Sequence, residues 1–212
     1  MNATVLAGWL DERVSDSSDN VVSAVRAHLT AQIGGPEPST ASVTFLGVEP
    51  LEILRFGPDD EGIVRYATVG CSRRPMGDPV EMVADDLRGP RAEVVLAVRG
   101  GFGPQSKIET TLAILAAAPA VEGLVLVPDA LIDLGQSLWV GSPFTAVLLG
   151  EGSGIDDLAL AEPMDPVRFF SAVPITGTEA AWVRLRGAAA LRDAWTEADI
   201  DVRDPARSAA SL

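Results

Sequence analysis

The sequence predicts an α+β fold, a mixed, mostly antiparallel sheet system with helices packed on the outside. Strand-like apolar segments outnumber amphipathic helical segments, and several of them adjoin across turn sequences. With 212 residues and 47% hydrophobic content, the chain can bury a large core. We expect one domain over residues 1–207, followed by a frayed tail over residues 208–212.

The first predicted element is a helix that Asp19 caps and that Gly34-Gly35-Pro36 ends. Its apolar residues recur at the spacing of one helical face and are Val21, Val25, Leu29 and Ile33. Three strand-like segments follow, namely Ser42 to Val48, Leu51 to Phe56 and Ile63 to Val69. The turn-forming residues between the last two favour antiparallel hairpins.

The middle of the chain alternates between apolar segments and turns. It predicts a short acidic helix from Pro79 to Leu87, a strand from Ala92 to Val98, a helix from Lys107 to Ala118 that Ser106 caps and Pro119 ends, and interior strands at Gly123 to Val127 and Phe144 to Leu149. The segment between the last two strands shows no clean period. A flexible acidic loop is expected from Gly150 to Pro166.

The segment from Val167 to Arg207 is the one around which the rest of the chain is expected to pack. It begins with a strand that Pro174 ends, and Thr176 with Glu179 has the spacing of a capping box. The helix that follows would present one apolar stripe made of Ala181, Leu185, Ala188, Leu191, Trp195 and Ala198. Gly187 indicates either a close approach of helix to sheet or a kink.

Charge excludes several classes of partner. The chain has 30 acidic and 16 basic residues, a net charge of −14, which would repel nucleic acid and an anionic membrane surface. The excess acid is concentrated in Asp11 to Asp19, Asp59 to Glu61, Asp78 to Asp86 and Glu151 to Asp165. These clusters are typical of solvated loops, with a docking surface for a basic partner as the alternative. A single cysteine and the absence of a long apolar run favour a cytoplasmic protein.

No pattern assembles a catalytic, metal or cofactor site, so no enzyme is predicted. The single histidine, His28, excludes a histidine-dependent triad by count, and Cys71 has no base placed beside it by sequence, although Arg73 and Arg74 could lower its pKa. The glycine-rich loop from Gly101 to Ser106 is the strongest alternative, because it lies between a strand and a helix, where nucleotide phosphates bind. Its third glycine position is Ser106, which favours a simple turn and helix cap.

Two segments resemble the Suppressor of fused family. Thr68-Val69-Gly70-Cys71-Ser72, with Pro75-Met76 after it, resembles that family's Thr-x-Gly-x-Ser segment. The family's ending is similar to Pro174-Ile175-Thr176 with Glu179, Gly187, Leu191 and the closing Asp204-Pro205-x-Arg207. Between them, Leu112-Ala113, Pro119, Gly123 and the run from Leu134 to Trp139 also fit. The resemblance covers roughly Val43 to Arg207.

The resemblance implies a non-enzymatic protein-binding domain. Animal members restrain Gli-type transcription factors with the help of a second region that this chain does not resemble, so that activity is not carried over. Bacterial relatives have been proposed as immunity proteins that neutralise toxins. A bacterial immunity protein with a basic toxin as partner is therefore one hypothesis, and a small-molecule or nucleotide-binding enzyme or sensor using the Gly101 to Ser106 loop is the alternative. Candidate partner-binding residues are Cys71, Ser72, Arg73, Arg74 and Met76, because they occupy an irregular segment after a strand. Pairing of Arg73 and Arg74 with nearby acids is the competing interpretation.

Overall fold

A computed structural model describes residues 3–77, 85, 87–103 and 105–211, with side chains in the first helix described from Ser18 onward. In chain order the elements are α1 (Ala3–Ile33), β1 (Ser39–Val43), β2 (Leu51–Phe56), β3 (Ile63–Val69), a 3-10 turn (Cys71–Arg73), β4 (Arg91–Arg99), α2 (Ile108–Glu122), β5 (Leu131–Asp133), β6 (Phe144–Gly150), β7 (Val167–Thr176), α3 (Gly177–Arg186) and α4 (Ala188–Glu197).

The described strands form one sheet in the order β1-β2-β3-β4-β7-β6-β5. Strands β1 to β4 pair as successive antiparallel hairpins, and β5, β6 and β7 also pair antiparallel. The junction between the two groups is parallel, with residues 91–95 of β4 opposite residues 167–171 of β7. The predicted mixed, mostly antiparallel α+β fold is therefore confirmed.

Helices cover both faces of this sheet. Each strand supplies side chains to both faces, because successive residues of a strand point to opposite sides. In β6, Val147 and Leu149 belong to the core under α2, whereas Ala146 and Leu148 belong to the core under α3 and α4. Helix α1 packs on the same sheet face as α3 and α4, over the β2 to β4 half. The predicted apolar face of α1 is confirmed.

The start of α1 differs from the prediction. The helix begins at Ala3, so Asp19 lies inside it and does not cap it, and the end before Gly34 is as predicted. The bounds of β2 and β3 match the prediction, while β1 begins three residues and ends five residues earlier than expected. Residues 44–50 instead turn the chain, with the N–H of Val48 donating to the carbonyl oxygen of Phe45 at 3.1 Å.

The second helix also extends past its predicted end. Pro119 lies inside α2, which continues to Glu122, and Gly123 adopts a left-handed conformation as its C-cap. The N-cap position is Lys107, which makes no side-chain capping bond, one residue after the predicted Ser106. The Ser106 hydroxyl nevertheless accepts from the N–H of Ile108 at 3.4 Å. Residues 123–127 are irregular where a strand was expected, and the short strand β5 forms in the segment that showed no period.

Two predictions about the C-terminal segment are wrong. Strand β7 continues through Pro174, which is possible because its pairing with β4 ends at Ser171 and leaves one side of the strand free there. The helix breaks at Gly187, whose φ of 86° and ψ of 166° suit only glycine. The break changes the phase of the helix, so Ala181 and Leu185 before it are exposed while Ala188, Leu191 and Trp195 after it are buried. Ala198 is exposed because α4 ends at Glu197 and Ala198 is only its C-cap. Gly187 thus provides the kink and not the close approach, since an added Cβ would meet nothing within 4 Å.

Three other expectations concern peripheral segments. The predicted acidic helix from Pro79 to Leu87 falls mostly outside the described residues. In the tail over residues 208–212, Ala210 is 6% exposed and packs in the α3–α4 core. In the described part of the chain, no helix is long and apolar enough to cross a membrane.

Candidate functional site

A buried carboxylate on β4 organises the segment after β3. Glu93 is 0% exposed and accepts hydrogen bonds from the backbone N–H of Gly70 (2.9 Å) and of Ser72 (3.0 Å). The hydroxyls of Ser72 and Thr68 donate to the same carboxylate, each at 2.6 Å. Four donors from five consecutive residues therefore converge on one side chain, which holds the 3-10 turn against the sheet.

The spacing of this segment follows from the geometry around Glu93. Thr68 also accepts from the N–H of Val94 at 2.8 Å, so its hydroxyl links the two strands. Gly70 has a φ of 114°, a conformation that side chains disfavour, and a Cβ there would lie 3.2 Å from Leu51 Cδ2. The Thr-x-Gly-x-Ser pattern thus supplies a hydroxyl, a turn and a second hydroxyl to one buried acid.

Burial raises the pKa of Glu93, because its surroundings disfavour the charged form more than the four hydrogen bonds favour it. All four donors are neutral groups. Burial also raises the pKa of the Cys71 thiol well above its ordinary value, and the negative charge of Glu93 adds to the effect. Burial and Glu93 therefore favour the protonated thiol, and neither Arg73 nor Arg74 lowers the pKa of Cys71.

A buried cation from the same strand holds the other side of the turn. Arg91 lies two residues before Glu93 and is 2% exposed. Its guanidinium donates to the carbonyl oxygens of Ser72 (2.8 Å), Arg73 (2.9 Å) and Leu87 (3.2 Å). The 3-10 turn is thus held at its N–H groups by a carboxylate and at its carbonyls by a guanidinium.

Beside this turn lies a concave surface that we call the turn groove, with a volume of about 540 Å³. It runs between residues 47–51, residues 70–77 and the last turns of α2, and its apolar lining includes Leu51, Cys71, Met76, Ala116, Pro119 and Ala120. Two large apolar residues adjoin lining residues in sequence and are strongly exposed: Leu46 at 105% and Val121 at 64%. The groove therefore combines an apolar floor with exposed apolar residues next to it.

The structure separates the five predicted binding residues into three groups. Cys71 and Met76 line the turn groove, with Met76 4% exposed. Ser72 is 0% exposed and bonded to Glu93, so its role is structural. Arg73 and Arg74 also line the groove, and both carry ion pairs.

These ion pairs match the competing interpretation of the two arginines. Arg73 pairs with Asp19 and with Glu49, each at 2.9 Å, and Arg74 pairs with Glu49 at 3.0 Å. The Arg74 side chain remains 59% exposed. Arg74 is therefore the charged member of the predicted set that a partner could reach.

A second buried carboxylate, Glu179, lies at the start of α3. It completes the predicted capping box, accepting from the N–H of Thr176 at 2.9 Å while the Thr176 hydroxyl accepts from the N–H of Glu179 at 3.2 Å. The indole of Trp195 donates to it at 2.9 Å, and the N–H of Ala210 at 3.2 Å. Arg207 pairs with it at 2.7 Å and is 7% exposed.

Arg207 connects the end of the chain to the sheet. It donates to the carbonyl oxygen of Pro174 at 2.8 Å, and its guanidinium lies 4.8 Å from the ring centre of Phe144 and 5.4 Å from that of Trp195. Burial alone would raise the pKa of Glu179, but the hydrogen bonds from Arg207, Thr176 and Trp195 outweigh it and hold that pKa below its ordinary value. The C-terminal segment is therefore fixed by a buried ion pair.

The glycine-rich loop packs against its own chain. A Cβ on Gly101 would lie 2.7 Å from Val64, and the N–H of Phe102 donates to the hydroxyl of Tyr66 at 2.9 Å. The Phe102 ring lies 4.5 Å from that of Trp139. Gly101 and Phe102 are therefore explained by packing within the chain.

No cluster of three or more histidine, cysteine, aspartate or glutamate side chains that could hold a metal is present in the described ranges. His28 stacks on Phe169 with ring centres 5.4 Å apart, and its Nε2 lies 2.7 Å from the carbonyl oxygen of Asp156. The histidine therefore contacts the acidic loop after β6.

The features that define this molecule are a seven-stranded mixed sheet with helices on both faces and two buried carboxylates that fix its turn and its C-terminal segment. The Suppressor of fused protein (SUFU) family model matches residues 47–208. The chain belongs to the Suppressor of fused family. Both family-like segments contain residues that bind these carboxylates, with Thr68, Gly70 and Ser72 at Glu93, and Arg207 at Glu179.

Solved structures share the fold. A protein described as a Suppressor of fused homologue from Neisseria gonorrhoeae FA 1090 is 20% identical, with a TM-score of 0.66 over 90% of this chain and 96% of that chain. A chain in the crystal structure of the Sufu–Fu complex is 14% identical, with a TM-score of 0.61 over 89% of this chain and 91% of that chain. Drosophila Suppressor of fused is 16% identical, with a TM-score of 0.55 over 77% of this chain and 43% of that chain. No curated protein matches.

Sequence reasoning missed Glu93 and Arg91. The one available signal was the position of Glu93 within the otherwise apolar run from Ala92 to Val98, with Arg91 next to that run, because a buried charge must be satisfied inside the protein. The partners could not be assigned, since the sequence does not show which loop lies over β4.

Proposed function

We propose that this chain is a non-enzymatic protein-binding module, with residues 1–207 acting as one Suppressor of fused domain, and that it contacts its partner through the turn groove. The likeness that carries the proposal is to a chain of the Sufu–Fu complex, a structure of two associated proteins, over 89% of this chain. Family membership over residues 47–208 supports the same conclusion.

The shape and chemistry of the turn groove suit an apolar side chain of a partner. Its floor is mainly aliphatic, and Leu46 and Val121 place exposed apolar surface beside it. Exposed large apolar residues next to a concave apolar surface are typical of protein interaction sites. The exposed guanidinium of Arg74 would lie at the edge of such an interface and orient the partner.

The charge of the chain favours a basic partner. Many described arginines are already paired with acids of the same chain: Arg65 with Asp59, Arg99 with Asp201, Arg168 with Glu151, Arg184 with Asp133 and Arg192 with Asp129. The remaining excess of acid gives the surface a net negative field. We propose a bacterial cytoplasmic immunity protein that neutralises a basic toxin domain.

The two buried carboxylates support binding over catalysis. Glu93 accepts four hydrogen bonds from its own chain, and Glu179 accepts bonds from Thr176, Trp195, Arg207 and Ala210. Their hydrogen-bonding capacity is thus used to hold the fold together.

The test compares two exposed leucines. Leu46→Asp places a charge beside the turn groove, and Leu185→Asp places the same charge on α3, which packs on the opposite sheet face. Both side chains are exposed, at 105% and 75%, so both variants should keep the wild-type melting temperature. The binding of a basic toxin domain encoded beside the gene is measured by calorimetry, and protection from that toxin by growth of producing cells.

We expect Leu46→Asp to weaken binding by at least about tenfold and to reduce protection, with Leu185→Asp unchanged. If Leu46→Asp and Leu185→Asp bind the toxin domain equally well, the partner does not bind at the turn groove. Failure of the wild-type chain to bind or to protect would overturn the immunity function.

A further inference from the structure

Among the described strands, β1 leaves one edge of the sheet unpaired. Strand β1 pairs with β2 along its whole length, from Ser39 opposite Arg55 to Val43 opposite Leu51, and it is the first strand in the sheet order. Apart from this ladder, no described backbone group bonds to the backbone of residues 39–43. In an antiparallel pair, every second residue directs its N–H and carbonyl away from the partner strand. β1 therefore presents free donors and acceptors along its outer edge.

The sequence of β1 does not protect this edge. Natural edge strands are usually blunted by charged side chains, proline or a bulge, which prevent pairing with another chain. The five residues Ser-Thr-Ala-Ser-Val include none of these, and their register with β2 is continuous. Ser39, Thr40 and Ser42 are exposed and small, so they would not obstruct an incoming strand.

We propose that the free edge of β1 accepts an extended basic segment of a protein partner as an additional antiparallel or parallel strand. This inference rests on the proposed protein-binding function and adds the mode of recognition. Backbone hydrogen bonds would supply affinity, as in other cases of strand addition. Because β1 lies before the matched residues 47–208, the family likeness does not itself predict this contact.

The net negative charge of the chain determines which kind of segment the edge of β1 would bind. A second copy of this chain would bring together two molecules that each carry a net charge of −14, and the resulting repulsion opposes self-association. A lysine-rich or arginine-rich segment is attracted by the same field. The nearest charges balance, because Arg26 is paired with Glu52, while Glu37 is exposed two residues before the strand and Arg55 lies opposite Ser39. The attraction for a basic segment therefore comes from the net charge of the whole chain.

The test uses synthetic peptides and amide exchange in the full chain. The probe is a peptide of about nine residues that alternates lysine and valine, a length typical of strands. One control has glutamate in place of lysine, and the other has the lysine sequence with every backbone nitrogen methylated, which keeps the charge and removes the donors on both edges of the peptide. Hydrogen exchange of the β1 amides is followed by NMR.

We expect the lysine peptide to slow exchange of the outward amides of β1 by about tenfold or more, because these amides become hydrogen-bonded. The glutamate and methylated peptides should leave them unchanged. Equal protection by the methylated peptide, or binding of the lysine peptide without protection of β1, would overturn the inference. If the β1 amides already exchange slowly in the free protein and its mass in solution is that of a dimer, the strand that pairs with β1 is a second copy of this chain and the inference of a basic segment is wrong.

A pair of variants tests the edge independently. Adjacent residues of β1 direct their N–H groups to opposite sides, so Thr40→Pro and Ala41→Pro each remove one N–H, one inward and one outward. The variant that keeps the wild-type melting temperature is the outward one, and it should lose the peptide effect. If that variant still binds the peptide and shows the same protection, strand addition is wrong. Partner binding measured in parallel distinguishes this failure from failure of the proposed function, since the partner could still bind through the turn groove.

Discussion

Glu93 and Glu179 are both 0% exposed, yet the protein accommodates them in opposite ways. Glu93 has four neutral donors and a raised pKa, whereas Glu179 has a cation among its partners and a lowered pKa. Zero solvent exposure therefore does not by itself determine the ionisation of a carboxyl group. Glu179 lies less deeply among surrounding atoms than Glu93 and has a cation among its donors, and both differences favour its charged form.

The two sites also do different work in the fold. The donors to Glu93 come from one short segment, so the acid determines the local shape of the turn beside the groove. The donors to Glu179 come from the start of α3, from Trp195 in α4 and from the C-terminal segment at Arg207 and Ala210. Neutral donors suffice where the geometry is local, and the ion pair occurs where separate elements must be joined.

Breaking the ion pair should give the largest effect. Arg207→Ala leaves the Glu179 carboxylate buried without its cation and removes the stacking on Phe144 and Trp195, so we expect a loss of about 3–5 kcal/mol in the free energy of unfolding. Urea denaturation followed by tryptophan fluorescence measures it. A loss below about 1 kcal/mol would mean that the pair is not the main connection of the C-terminal segment.

Removing one neutral donor should have a smaller effect. Thr68→Val keeps the shape of the side chain but deletes the hydroxyl that donates to Glu93 and accepts from Val94, at an expected cost of about 1–3 kcal/mol. The same denaturation experiment measures it. If the turn depends on Glu93 as described, the amides of Gly70 and Ser72 should also exchange faster with solvent in this variant.

The pH dependence of stability should distinguish the two acids by sign. The folded-state pKa of Glu93 is raised above 4.5, so the folded protein holds this proton more tightly and its contribution to stability grows as pH falls through that pKa towards 4.5. The folded-state pKa of Glu179 is lowered, so its contribution is complete above 4.5 and is lost as pH falls through the lowered value.

Variants assign these two contributions. In Glu93→Gln, the free energy of unfolding should no longer rise as the pH falls towards 4.5, unlike in the wild type. In Glu179→Gln, the wild-type decrease in the free energy of unfolding below pH 4.5 should be absent. Chemical denaturation between neutral pH and the acidic limit of folding provides the measurement. Difference curves of the same sign for the two variants would contradict the contrast between the sites.

An exposed ion pair gives the smallest expected effect and serves as the control. Arg184 pairs with Asp133 at 2.6 Å, but its side chain is 53% exposed and that of Asp133 is 38% exposed. Arg184→Ala should cost about 0.5 kcal/mol or less, because water and salt screen the pair. A cost approaching that of Arg207→Ala would show that the removal of any arginine, and not burial of the pair, explains the larger loss.

Local patterns in the sequence predicted much of the fold. The bounds of β2 and β3, the end of α1 and the Thr176–Glu179 capping box follow from alternation, glycine and residue spacing, which act over a few residues. The errors at Pro119 and Pro174 arose because tertiary structure tolerates proline where a helix or strand is otherwise well packed. The error in the apolar stripe arose at Gly187, since one residue outside helical geometry rotates everything after it.

The candidate site was less predictable than the fold. The segment from Cys71 to Met76 was identified because it is irregular and follows a strand, and it does line a groove. Its sequence could not show that Ser72 points into the core and Arg74 towards solvent, because that division depends on Glu93 from a distant strand. Long-range contacts of this kind have no local signature.

The parallel junction between β4 and β7 has a consequence for how the chain folds. Strands β1 to β4 are joined by hairpins and can assemble as the chain emerges, but β4 obtains its second neighbour only after β7, far along the sequence, has been made. Until then the edge of β4 that later pairs with β7 has unpaired N–H and carbonyl groups and is an open template for other chains. The pairing of β4 with β7 is therefore the step at which synthesis rate, temperature and chaperone supply should most affect the yield of native protein.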